Sequence, residues 1–63
     1  MDYTILKLEN GDFVKIAERP TREDAKRCAA WNAAADESEH AMYEVQNAEN
    51  KVTDIIRKTP ANG

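Results

Sequence analysis

The sequence predicts a small α+β domain of order ββαββ: two hairpins form an antiparallel sheet, and one helix packs on one face of it. Three observations carry this expectation. Asn10-Gly11 separates two apolar, β-rich runs. Thr21 opens a stretch of strong helix formers that contains no Gly or Pro. Residues 41–46 and 51–58 form a second pair of short segments, the first of which alternates in polarity.

In the first hairpin, Tyr3 to Leu8 is rich in β-branched and large apolar residues, and Phe13 to Ala17 is apolar again. Asn-Gly between such runs suits a type I′ turn, which needs positive φ at both central residues. That turn sets Leu8 opposite Phe13, Lys7 opposite Val14 and Ile5 opposite Ile16. It also sets Glu9 opposite Asp12, a like-charge pair that weakens the turn slightly.

The helix starts at "RPTRED". Thr21 caps it, Pro20 precedes the cap, and Glu23 and Asp24 sit in the first turn, where the helix dipole favours acids. Asp24 stands in for the acid of a capping box in shortened form. The run continues to about Ala35. At about 100° per residue, Ala25, Cys28, Ala29, Asn32 and Ala35 share one face, with Trp31 on its flank. A face of small side chains lets a helix lie close on a sheet.

"DESEH" is a polar break, "AMYEVQ" reads as a strand, and "NAEN" as a turn in which Asn50 accepts the left-handed region. "KVTDIIRK" fits two patterns. Val52, Ile55 and Ile56 form a helical face with Arg57 and Lys58 at its C-terminal end, whereas the β-branched run fits a strand, which is preferred. The domain is expected over 1–58, with 59–63 as a flexible tail. Tyr3, Ile5, Glu9 and Asn10 recur in pattern as Tyr43, Val45, Glu49 and Asn50. Asn10 is followed by Gly11 but Asn50 by Lys51, and only one helix is evident, so these are the leading strands of two hairpins and not a duplication.

A chain of 63 residues makes one domain with a modest core. Domains this small often rely on disulfides, metals or oligomerisation. Cys28 is the only cysteine and His40 the only histidine, too few soft ligands for tetrahedral zinc. Oligomerisation is the remaining aid. The lone thiol suits a reducing compartment. With no signal peptide and no apolar run near the ~20 residues of a membrane span, the expectation is a cytoplasmic protein that does not contact membrane. The hairpin adds a further point. Leu6, Leu8 and Phe13 lie on one side of the sheet, and Ile5, Val14 and Ile16 on the other. One helix covers one side only, so the second is expected to meet another copy of the chain or a partner protein.

The residue types do not assemble a catalytic centre. His40 reads as a loop residue and Cys28 as a small buried thiol. Gly11 and Gly63 cannot build a phosphate-cradling loop. An enzyme is not expected, nor any metal or cofactor. The candidate binding residues are Arg19, Arg22, Lys26 and Arg27 around the helix start, with Lys15 nearby, and the aromatics Trp31 and Tyr43. The basic group could contact phosphates, but Glu23 and Asp24 interrupt it, as on an ordinary solvated helix face. Trp31 and Tyr43 could anchor an interface, although a lone Trp in so small a domain usually joins the core.

With 12 acids against 9 bases and a net charge of -3, the leading expectation is a non-catalytic protein-binding module, with a protein partner or self-association. The alternative is a small nucleic-acid-binding or regulatory domain that uses the basic start of the helix. A solitary acidic domain without catalytic chemistry is similar in size and character to the small inhibitors that phages and mobile elements direct at host proteins, anti-CRISPR proteins among them. No residue is carried over from that likeness.

Overall fold

The computed structural model describes residues 2–58; the expected flexible tail, 59–63, lies outside the described residues. The elements are β1 (Tyr3–Glu9), β2 (Asp12–Arg19), α1 (Arg22–Ala35), β3 (Met42–Gln46) and β4 (Val52–Arg57). They form one antiparallel sheet of order β2-β1-β3-β4 with a single helix, the expected ββαββ order. β2 and β3 both run antiparallel to β1, so they are parallel to each other. β2–α1–β3 is therefore a split β-α-β crossover, which carries α1 across β1 onto β3 and β4.

Local chemistry sets each boundary. Asn10 and Gly11 have φ of 52° and 86°, as the type I′ turn requires. The Thr21 hydroxyl accepts from the Asp24 N–H at 3.1 Å. The reciprocal half of a capping box is replaced, because the Asp24 carboxylate turns toward Arg27, at 3.9 Å. The 51–58 segment holds a strand, β4, and no helix. Asn47 Oδ1 accepts from the N–H groups of Glu49 and Lys51 at 2.9 and 3.0 Å, and Asn50 takes φ 64°. This side-chain-closed turn returns the chain alongside β3.

Two expectations are corrected. Leu8 pairs with Phe13 and Lys7 with Val14, but Ile5 pairs with Ala17, because a bulge between Ile5 and Leu6 leaves Ile16 as the extra residue. The buried helix stripe runs through Ala25, Ala29 and Ala33, while Cys28 and Asn32 are half-buried and Ala35 is exposed. The stripe follows an i, i+4 line along the crossing direction of the helix instead of one fixed face.

The core comprises Ile5, Ala25, Ala29, Ala33, Ala41, Tyr43 and Val45, with Tyr3, Ala17, Cys28 and Ile56 packed around it. Among the described residues, its largest fully buried side chains are Ile5 and Val45. Each is worth about 1.5–3 kcal/mol, so the core is thin. Alternation and register place Leu6, Leu8, Phe13, Lys15, Glu44 and Ile55 on the opposite, uncovered face. There Phe13, Ile55 and Val52 are 37%, 52% and 46% exposed.

The alanine stripe makes a direct prediction. Ala29→Leu forces α1 away from Ile5 and Val45, and urea unfolding should show a loss of about 1–3 kcal/mol. Ala30→Leu, at an exposed position of the same helix, should stay within about 0.5 kcal/mol of the parent. Equal effects at the two positions would contradict the close seating.

Candidate functional site

The six candidate binding residues separate into three places. Arg22 forms a two-pronged ion pair with Asp54 of β4: Nε donates to Oδ2 at 2.9 Å and Nη2 to Oδ1 at 3.0 Å. Nη2 also reaches the Thr53 carbonyl at 3.3 Å. The guanidinium holds the Asp54 carboxyl below its ordinary range, and Lys26 adds to that field. Arg22 thus clamps the helix start to β4, and Lys26, one helical turn on, contributes only its charge.

Tyr43 is buried in the core and not displayed at an interface. Its hydroxyl donates to Asp36 Oδ2 at 2.7 Å. Asp36 caps the C-terminal end of α1. Its carboxylate also accepts from the Ser38 N–H at 2.9 Å and lies 3.3 Å from Lys7 Nζ, while its carbonyl accepts from Lys58 Nζ. One residue therefore ties the helix end to β1, β3 and the segment after β4. The Tyr43 hydroxyl and the Ser38 N–H draw the Asp36 carboxyl down to about 2, with Lys7 assisting. Burial first, and then Asp36, pushes Tyr43 up to about 12.

Arg19, Arg27 and Trp31 come together. With Asp24, Cys28 and Asn32 they line a shallow hollow of about 430 Å³ between α1 and the end of β2. Arg27 and Trp31 are i, i+4 neighbours on one helix flank. Arg19, the last residue of β2, pairs with Tyr3 on the helix side of the sheet, and its Nη1 donates to the Glu18 carbonyl at 2.6 Å. Asn32 Nδ2 donates to the Cys28 carbonyl at 2.8 Å, which fixes the hollow's floor. Trp31 is 77% exposed, so it does not join the core as a lone Trp usually does. The core is built for close approach and has no room for an indole. The Arg27–Asp24 pair is long and both partners are exposed, so it is a weak tie that leaves Arg27 able to turn to an incoming anion.

The hollow can stack a planar or apolar group on an indole and offer two guanidinium forks to a carboxylate. His40 is exposed in the loop before β3, and its N–H donates to Ser38 Oγ at 3.3 Å. Among the described residues, no three His, Cys, Asp or Glu gather closely enough to hold a metal ion, and no helix is long and apolar enough to cross a membrane. No family model, curated protein or solved structure matches the chain.

Sequence reasoning missed Asp36, Lys7, Lys58 and Asp54. Arg22 and Asp54 are 32 positions apart, and no local signal couples them. Asp36 had one cue: it is the first residue after the alanine run, where a carboxylate meets the unfavourable end of the helix dipole and needs cations nearby.

Acid titration tests this hub. A carboxyl whose folded pKa lies below its ordinary value, ~3.9, adds stability that is fully present above that value and is lost as pH falls through about 2. Tyr43→Phe removes the largest cause of the depression. The stability gap between parent and variant should narrow between about pH 4 and about pH 2; a constant gap would contradict the assignment.

Proposed function

We propose that this chain is a non-catalytic protein-binding module that takes an acidic segment of a partner protein into the hollow at Arg19, Arg27 and Trp31. One observation carries this reading: the only Trp of the chain is 77% exposed beside two arginines. Leaving an indole in water forgoes the stabilisation its burial would bring. Trp and Arg are also the residues most enriched among those that dominate binding energy. The setting is cytoplasmic, where the lone thiol stays reduced. An inhibitor that a phage or mobile element directs at a host protein is one form such a module takes.

The division of the basic residues favours a protein over a nucleic acid. Arg22 is committed to Asp54, and Lys15 lies 3.2 Å from Glu18. Asp24 sits within the hollow itself. A phosphate backbone laid along the helix start would meet these carboxylates in succession, whereas a short acidic peptide need only engage Arg19 and Arg27.

Binding should be visible in Trp31 fluorescence. Titration with peptides that carry acidic and aromatic residues should shift its emission to the blue and shield it from acrylamide. Trp31→Ala and Arg27→Glu should each weaken capture of the partner at least tenfold, which corresponds to about 1.4 kcal/mol, with circular dichroism unchanged. Arg22→Ala should lower stability and leave capture intact. Binding to single-stranded DNA at low salt that falls steeply as salt rises, with no response to acidic peptides, would replace this reading with the nucleic-acid one.

A further inference from the structure

We propose that the uncovered sheet face is a homodimer interface, in which two copies pack sheet to sheet about a two-fold axis parallel to the strands. Four observations converge on a second copy as the occupant. The first is the thin core: Ile5, Tyr43 and Val45 are the only buried side chains larger than alanine among the described residues, and Phe13, Val52 and Ile55 stay exposed on this face, as Val14 and Ile16 do elsewhere on β2. The second is area. Four strands of five to eight residues, spaced ~4.8 Å apart at ~3.3 Å per residue, make a face of roughly 400 Å², the size of a small interface that buries less than ~1,200 Å² in total.

The third observation is charge. The chain carries -3, but the charged residues that register places on this face, Lys15, Arg57, Glu18 and Glu44, balance in sign. A copy can meet itself there without net repulsion. The fourth is the pattern across the sheet. One row reads Lys15, Leu6, Glu44 and Ile55 from β2 to β4. Rotation about an axis parallel to the strands lays β2 on β4 of the second copy and β1 on β3. Lys15, held in the single chain only by an exposed pair with Glu18 at 3.2 Å that is weak, then extends its stem over Ile55 of the second copy, with its ammonium about one strand spacing, ~4.8 Å, from the line of Glu44 of that copy. In the neighbouring row Phe13 meets Arg57, an aromatic face against a guanidinium. An axis across the strands would instead set Lys15 on Lys15 and Glu44 on Glu44. The arrangement is isologous and closes on itself as a dimer.

The consequence is a four-layer α/β/β/α particle with both helices outside and both Trp31 hollows facing outward. If the hollow binds as proposed above, the dimer is bivalent and gains avidity toward a partner that displays two acidic segments. That bivalency rests on the reading of the hollow; the dimer does not.

Sedimentation equilibrium on the full chain tests the interface. The expected mass is twice the 7.1 kDa of one chain. Ile55→Lys should halve it. Lys15→Glu should also halve it, and Lys15→Glu combined with Glu44→Lys should restore the doubled mass, a rescue that a folding defect cannot produce. Trp31→Ala should leave the mass doubled, which separates this result from any failure of the hollow to bind. A parent of single-chain mass would overturn the proposal, as would a doubled mass indifferent to Ile55→Lys and to the charge exchange.

Discussion

The structure depends on the close seating of an alanine-faced helix on one side of a four-stranded sheet. Ala25, Ala29 and Ala33 bring the backbone of α1 down onto Ile5, Tyr43 and Val45. Much else follows from that approach. It excludes an indole from the core and leaves Trp31 on the flank. It brings Arg22 within reach of Asp54 and Asp36 within reach of Tyr43 and Lys7, so both ends of the helix are fixed by ion pairs or charge-assisted hydrogen bonds. It also confines the helix to one face, and the other face keeps Leu6, Leu8, Phe13 and Ile55 without cover from the helix.

The two polar clamps differ in kind. Arg22–Asp54 is a planar fork at the rim of the sheet, partly screened by solvent. The Asp36 carboxylate is almost enclosed, with 7% of its side chain exposed, and it satisfies a tyrosine, a backbone N–H and a lysine at once. Such a network holds one helix orientation more firmly than a smooth alanine contact alone, because sliding the helix would strand a charge. The surface left over then divides by chemistry: an apolar, charge-balanced sheet face on one side, and an indole with two guanidiniums on the other.

Much of this fold was legible in the sequence, and the reason is local. Asn10-Gly11 specifies its turn almost alone, Thr21 specifies its cap, and the alternation in "AMYEVQ" specifies a half-buried strand. The similarity of Tyr43–Asn50 to Tyr3–Asn10 rightly pointed to a returning strand at 51–58. The bulge that displaces Ile16 was not legible, because no glycine or other turn residue in β2 marks the extra position. The candidate site was legible in part. Arg19, Arg27 and Trp31 were recognisable as types, but their separation from Arg22 and Lys26 depends on which flank of the helix faces β2. Tyr43, on β3, lies in the core: an aromatic anchor and a core tyrosine look alike in sequence until the partner of its hydroxyl, Asp36, is known.

The two proposals divide the surface between them: one sheet face for a second copy, and the helix-side hollow for a partner. Isotope-filtered nuclear Overhauser spectroscopy on a mixture of labelled and unlabelled chains addresses this division most directly. Intermolecular contacts are expected from Phe13 and Ile55 and none from Trp31. Contacts from Trp31, or none from Phe13 and Ile55, would contradict it.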